Sequence, residues 1–254
     1  MFSVGHINCY NNYMDQKAEK TMVELKEENE FLGELISTTA HSLRTSLSAT
    51  KWVIKMFLDR DFGNLSIEQE NMLKKTSENN ERMISIVNDM IKVNKSMNYE
   101  NDAEKVDIDI VKLIESLIFD FSAESFKYEI QVIFIKPDND CIIKSHIEKI
   151  RLIFSNLIEN AIKYSSANDK VFISVIENPN DFVFSIKDTG IGIPKEEQSH
   201  LFEKFYRATN AMSKEPVGSG IGLYTVKKIV DSLGGKISFE SSSLGTTFDI
   251  TLNK

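Results

Sequence analysis

Two runs of apolar residues, each stepping alternately three and four positions and separated by one turn, constrain this chain more than any other feature. The first passes through Met22, Leu25, Asn29, Leu32 and Ile36, and no proline interrupts the helix before about Leu58. Asp59-Arg60-Asp61-Phe62-Gly63-Asn64 reads as a turn with Gly63 and Asn64 as breakers. A second helix starts near Ser66, where Ser66 and Gln69 have capping-box spacing, and its stripe is Met72, Thr76, Asn79, Met83, Ile86, Met90 and Val93. Two long helices joined by a short turn pack antiparallel, and two such hairpins make a four-helix bundle. The lone polar Asn29 on the first seam is the kind of residue that fixes register in a coiled coil, which points to a homodimer. The alternative is a single amphipathic helix with a solvated Glu/Lys face. The methionines read as core filler.

Beyond the polar, aperiodic stretch 96 to 104 the pattern changes to mixed α and β, so a domain boundary belongs there. A helix is expected over about 108 to 125, with Ile110, Leu113, Ile114 and Leu117 inward, and strands over 130 to 135 and 141 to 143. Ser145 and Glu148 have the spacing of a capping box that would open a helix burying Ile147, Ile150, Ile153, Phe154, Leu157 and Ile158. Strands at 171 to 176 and 182 to 187 flank the turn Asn178-Pro179-Asn180-Asp181. A short helix near 195 to 204, a polar loop to 217, a helix at 221 to 233 and strands at 236 to 241 and 246 to 252 complete the chain. The expected class is α+β in two domains: an antiparallel helical hairpin forming a dimeric four-helix bundle, then an α/β sandwich. The divisions are a short tail over 1 to 14, a coiled-coil helix over 15 to 36, the hairpin over 37 to 97, a linker over 98 to 106 and the second domain over 107 to 254.

At 254 residues and 41% hydrophobic, the chain can bury the cores of two modest domains. A net charge of −8 without a basic block disfavours nucleic acid as a partner. Cys9 and Cys141 stand far apart, which fits a reducing cytoplasm. No apolar run reaches the ~18 residues of a membrane span and no signal-peptide pattern opens the chain, so a soluble, cytoplasmic protein is expected. Residues 1 to 14 are too few for a sensing module, which would then be supplied by another chain or be absent.

The chemistry gathers in three places. Asp188-Thr189-Gly190-Ile191-Gly192-Ile193-Pro194 sets a carboxylate before two glycines. A carboxylate accepts from the exocyclic amine of adenine but repels the carbonyl of guanine, and the glycines let backbone approach a ligand, so ATP is the expected nucleotide. Strand-Asp-x-Gly is also common turn punctuation, and only company gives it meaning. Asn156 and Asn160, four apart, put two amide oxygens on one helix face with Lys163 and Tyr164 a turn further on. Amide oxygens suit a Mg²⁺ that draws its other ligands from water and phosphates, and Asn160 is the first choice. Gly218-Ser219-Gly220-Ile221-Gly222-Leu223 enters a helix, where free N–H groups and the positive helix end meet phosphate. A Rossmann turn needs a strand immediately before it, and here a polar loop precedes. That loop, Ala208 to Val217, reads as a mobile lid with Arg207 at its base, near the terminal phosphate. Of the four histidines, His41 lies between Thr39 and Leu43 of the inner seam and so projects outward; His6, His146 and His200 read as structural.

Over about residues 15 to 254 these segments resemble, in order, the catalytic core of bacterial sensor histidine kinases of two-component systems. AHSLRTSL resembles the phosphoacceptor box, NLIENAIKY the asparagine box, KDTGIGIP the first glycine box, LFEKFYR the phenylalanine box, GSGIGL the second glycine box and GTTF the last. The resemblance implies a dimerisation and phosphotransfer bundle followed by a Bergerat-type ATP-binding domain. It makes His41 the phosphorylated residue, Asn160 the Mg²⁺ ligand, Asn156, Lys163, Tyr164 and Arg207 the phosphate-side contacts and Asp188 the adenine acceptor. Gly190, Gly192, Ile193, Gly218, Ser219, Gly220, Ile221, Gly222, Leu223 and Thr246 complete the implied pocket, and a response regulator receiver domain is the implied partner. Two positions depart from the pattern. Ser42 stands where an acidic residue is common, and a serine can orient the imidazole but cannot take its proton near neutrality. Ser46 replaces a proline, which removes a helix kink. Thr45 matches the position that orients water for dephosphorylating a partner. Beside the kinase stands a rival reading, an autokinase-impaired dimeric scaffold that binds ATP without transferring it. A hydrolase or chaperone on the same fold is disfavoured by the histidine-bearing hairpin upstream.

Overall fold

The structure, a computed structural model, describes residues 4–98, 105–137, 139 and 141–254; in the two long helices side chains are described at Glu28 and over 31 to 94. Helix α1 spans Val4–Leu58 and α2 spans Ile67–Asn98. The helix thus begins well inside the stretch expected to be a tail, since no proline stands there to prevent it. The turn between them closes on Gly63 at φ +110°, and Ser66 and Gln69 form the expected reciprocal cap: Ser66 N–H donates to Gln69 Oε1 at 2.8 Å, and Gln69 N–H to Ser66 Oγ at 3.2 Å.

Within one chain the helices meet on a different face from the one the spacing selects. On α1 the buried residues are Gly33, Ala40 and Ile54, with Leu47 half-buried, and on α2 they are Asn80 and Val87, flanked by Ile84 and Ile91. Two asparagines set the register. Asn80 Nδ2 donates to the Leu47 carbonyl at 3.0 Å, and Asn94 Nδ2 to the Gly33 carbonyl at 2.7 Å. The expected stripe of Met72, Thr76, Asn79, Met83 and Met90 is exposed, as are Thr39 and Leu43 on α1; Ile86 and Val93 are half-buried. Of the first seam, Leu32 is exposed and Ile36 half-buried, whereas Met22, Leu25 and Asn29 lie outside the described side chains. The hairpin therefore carries a second, uncovered apolar face that includes Leu35, Leu43, Trp52 and Val53.

The second domain opens with β1 (Val106–Asp109), α3 (Ile110–Asp120), α4 (Ser122–Lys127), β2 (Gln131–Ile135), β3 (Ile142–Ser145) and α5 (Ile147–Lys163). It continues through β4 (Lys170–Glu177), β5 (Asp181–Asp188), a 3₁₀ turn (Lys195–His200), α6 (Thr209–Lys214), α7 (Gly222–Ser232), β6 (Lys236–Ser242) and β7 (Gly245–Asn253). The main sheet has the order β2-β4-β5-β7-β6, parallel between β2 and β4 and antiparallel elsewhere, and β1 pairs with β3 in a separate ribbon. Helices α3, α5 and α7 cover one face of the sheet and share its core, where Phe154 meets Phe184 edge-on at 5.1 Å. The hairpin followed by an α/β sandwich is the expected fold class.

Several local expectations are corrected, and Ile147, expected on the buried side of α5, is exposed at its first turn. Strand β1 was not foreseen; it is four residues long, pairs with β3 and sends only Ile108 fully into the core. The helix expected over 108 to 125 breaks at Phe121 into α3 and α4, and Asp109 caps the first by accepting from the Lys112 N–H. Ser145 does not cap α5, because it is buried as the last residue of β3; His146 takes the cap position without a side-chain bond. The polar loop before the second glycine turn contains α6, and the expected helix over 195 to 204 is a shorter 3₁₀ turn.

Candidate active site

Strand periodicity builds one end of the site. The alternation that buries Phe182, Phe184 and Ile186 of β5 also turns Asp188 to the helix-covered side, and in β7 the same rule buries Phe248, Ile250 and Leu252 along with Thr246. Asp188 is 6% exposed, and its Oδ1 accepts the N–H groups of Gly190 at 2.9 Å and Thr246 at 3.1 Å. Oδ2 has no partner among the described residues. Burial pushes this carboxyl above its ordinary value, against the pull of those two N–H groups, and Asp169 adds to the rise. Close backbone contacts explain the glycines. A Cβ on Gly190 would lie 2.4 Å from the Tyr164 carbonyl oxygen, and one on Gly192, at φ +61°, 1.7 Å from that of Ser242. Ile193 is held by its N–H to Ser241 Oγ at 2.9 Å.

Helix α5 supplies the polar side. Asn156 Nδ2 donates to the Leu152 carbonyl at 2.7 Å, while its Oδ1 fills the space beside Gly222, 2.7 Å from where a Cβ there would sit. Asn160 makes no side-chain hydrogen bond to any described residue, so its amide oxygen is available on the cavity wall. Lys163 pairs with Glu159 at 2.6 Å. Burial works to lower its pKa, but Glu159, with help from Glu124, outweighs it and the ammonium is held above its ordinary value. Beyond the lid, Gly220 adopts φ +71°, Ser219 is buried, and its Oγ accepts the Ile221 N–H at 3.1 Å at the entry to α7.

These parts enclose a cavity of about 350 Å³, within the range of small-ligand sites. Asn156, Asn160, Lys163, Tyr164, Asp188, Gly192, Ile193, Arg207, Gly218, Ser219, Gly220, Gly222, Leu223 and Thr246 all line it. Gly190 and Ile221 stand behind the wall and shape it through the backbone. Sequence reasoning missed Phe248, whose strand alternation would have found it. It also missed the α2 residues that border the cavity, for which no local signal exists.

Arg207, on the cavity wall, also holds the lid. The guanidinium donates to the carbonyls of Pro216 at 3.0 Å, Ala211 at 3.3 Å, Gly218 at 3.4 Å and Glu215, so it braces the lid backbone. Glu197 grips the other end of the lid, accepting from Thr209 N–H at 2.8 Å, Thr209 Oγ1 at 2.6 Å and the Tyr206 hydroxyl at 3.0 Å. Asn210 Nδ2 ties the middle to the Gly192 carbonyl at 2.8 Å.

His41, Ser42 and Thr45 are exposed on α1, and none of them lines the cavity. Thr45 Oγ1 donates to the His41 carbonyl at 3.1 Å and Ser46 Oγ to the Ser42 carbonyl at 3.2 Å, the back-bonding usual for helical hydroxyls. Interpolating between the two asparagine bridges places His41 level with Ile86 of α2.

A sheet-and-helix domain with a buried carboxylate, an asparagine-bearing helix and a glycine-rich helix entry, joined to a hairpin displaying an imidazole, defines the class of ATP-dependent histidine phosphotransfer proteins. Comparison with known proteins gives the family. The model of histidine kinase-, DNA gyrase B- and HSP90-like ATPases matches residues 145–254, and the His Kinase A (phospho-acceptor) domain matches residues 31–97. The chain carries, in order, the two domains that make up the catalytic core of sensor histidine kinases. It is 32% identical over 222 residues to the sensor histidine kinase WalK of Bacillus subtilis, covering 86% of this chain and 36% of the relative. It is 30% identical over 253 residues to a sensor protein kinase WalK of Staphylococcus aureus, covering 98% of this chain and 59% of the relative. The chain thus spans only part of the length of the curated relatives it matches. Among solved structures, the catalytic domain of histidine kinase ThkA superposes with TM-score 0.53 at 25% identity, over 60% of this chain and 97% of that one. Full-length ShkA shares the fold, with TM-score 0.59 at 21% identity over 86% of this chain and 45% of that one. Among the described residues no helix is long and apolar enough to cross a membrane.

Proposed function

We propose that this chain autophosphorylates on His41 with ATP and passes the phosphoryl group to the receiver domain of a response regulator. The observation that carries this reading is the cavity bounded by Asp188 and by Asn160 and Lys163, in a chain whose upstream hairpin exposes His41. Asp188 Oδ2 accepts the adenine amine, and the N–H groups at the second glycine turn and the Lys163 ammonium face the phosphates. The uncommitted Asn160 amide oxygen and the Asn156 oxygen beside Gly222 fit Mg²⁺, which when bound would neutralise phosphate charge. In the transfer, one imidazole nitrogen of His41 attacks the γ-phosphorus in line, an N–P bond forms, the bond to the β–γ bridging oxygen breaks, and ADP leaves. The proton on the other ring nitrogen passes to water, because Ser42 offers no base.

The uncovered apolar face of the hairpin supports a homodimer in which two hairpins bury Leu43, Trp52, Met72 and Met83 against each other. Residues 15 to 36 are then the stalk, 37 to 97 the dimerisation and phosphotransfer domain, 98 to 106 the linker and 107 to 254 the catalytic domain. The site of action is the cytoplasm, with the signal delivered by another chain or segment. Ser42 favours one alternative, a dimeric scaffold that binds ATP without transferring it. Incubation with γ-labelled ATP separates the two. Acid-labile, base-stable label that is lost in His41→Gln is the expected result; ATP binding without any label would leave the scaffold.

A further inference from the structure

One wall of the cavity comes from outside the nucleotide-binding domain. Glu81, Ile84, Ser85, Asn88, Asp89 and Lys92 recur at helical spacing on one face of α2 and border the same cavity as Asn160 and Lys163. A direct bond joins the two domains there: the Ser219 hydroxyl donates to Asp89 Oδ2. That hydroxyl also accepts the Ile221 N–H at 3.1 Å, so Asp89 is held at the entry to the 11-residue helix α7. Asp89 also borders a small crevice shared with Asn156, Ile221 and Gly222. The first turn of a helix offers N–H groups and partial positive charge, the setting an anion prefers. The α2 carboxylate thus stands where the nucleotide reading puts phosphate oxygens.

We propose that Asp89 is a positioning residue that latches the ATP-binding domain onto α2 through Ser219, and that nucleotide phosphates must displace it. The proposal rests on the reading of the cavity as an ATP site. A carboxylate and a polyphosphate repel each other at one helix entry, so the two occupancies compete. His41 lies level with Ile86, beside the latched segment, yet on the other helix and off the cavity wall. The latched domain therefore faces α2, and release lets it travel around the hairpin to an imidazole. Such a latch taxes binding by the fraction of time it is open. Closed for roughly nine-tenths of the time, it weakens apparent ATP affinity about tenfold.

The test uses the full chain, its Asp89→Ala variant and its Asp89→Asn variant, which keeps an acceptor but loses the charge. Hydrogen exchange over 81 to 92 and 218 to 222 is measured without nucleotide, and ATP affinity by calorimetry. Asp89→Ala is expected to exchange faster in both segments and to bind ATP about tenfold more tightly, with Asp89→Asn between it and the parent. Unchanged exchange in both segments, or weaker ATP binding in Asp89→Ala, overturns the latch. Should Asp89→Ala fail to fold, Ser219→Ala breaks the same bond from the other side and must loosen the same α2 segment, or the latch is wrong. If no version binds ATP, the nucleotide reading fails, while the exchange data still decide whether the latch exists.

Discussion

Replacing Asp188 by asparagine separates the two duties that one carboxylate performs. Oδ1 accepts from Gly190 and Thr246, tying the first glycine turn to β7, and an asparagine oxygen can hold both bonds with the same shape. The change falls on the other arm, where an acceptor for the adenine amine becomes an NH₂ donor. Two donors then face each other, forfeiting a charge-assisted hydrogen bond of about 1.5–3 kcal/mol, which is roughly a 10- to 150-fold loss of ATP affinity. Stability moves the opposite way. Burial raises the Asp188 carboxyl above its ordinary value of 3.8. Relative to an ordinary carboxyl, its contribution is therefore fully present below pH 3.8 and is lost as pH rises through the raised value. Near neutrality the ionised, buried group is a liability, so Asp188→Asn should unfold at equal or higher temperature at pH 7 and show a flatter pH dependence just above pH 3.8. Calorimetric titration with ATP and with an inosine nucleotide, beside thermal melts from pH 4 to 8, checks all of this. The parent should also lose ATP affinity as the pH falls through the raised value, because protonation removes the acceptor. Undiminished ATP binding by a folded Asp188→Asn protein would refute the assignment of the base.

Gly192→Ala should destabilise the catalytic domain by about 3 kcal/mol, from a left-handed backbone plus a methyl forced into the Ser242 carbonyl; thermal denaturation should show a midpoint lowered by roughly 10 °C. Ser42→Glu supplies a proton acceptor beside His41, worth typically 10²- to 10⁴-fold for a general base, so the initial rate of autophosphorylation should rise at least about tenfold; a flat or slower rate removes Ser42 as the deficit. Arg207→Ala deletes the donors that brace the lid, so limited proteolysis between Ala208 and Val217 should quicken several-fold and ATP should bind more weakly. If cleavage is unchanged, the bonds from Glu197, Asn210 and Lys214 suffice to hold the lid.

What could be read from the chain depended on how far apart the causes lay. The Ser66–Gln69 cap is set by neighbours, and the strands around Asp188 announce themselves through alternation, so these were legible. The hairpin seam was not. A bundle helix has one apolar face toward its own partner and another toward a second hairpin, and spacing alone cannot rank them. The methionine stripe of α2 looked like the inner face, whereas the inner face runs through Asn80 and Asn94, polar residues that an apolar pattern passes over. Ser145 misled in the same way, since its place in β3 depends on pairing with Val106, far off in sequence. Arg207 was placed beside the cavity by its motif, but nothing in the motif foretells that its two terminal nitrogens donate to carbonyls between Ala211 and Gly218. The contribution of α2 to the cavity is wholly tertiary.

The two asparagine rivets between α1 and α2 limit how a stimulus can travel. Asn80 and Asn94 grip opposite reaches of α1 by its backbone, so sliding one helix along the other by a fraction of a turn would break both bonds together. An axial push is thereby resisted, while twist or tilt leaves both grips intact. Force arriving at the top of the stalk should reach the imidazole as torque.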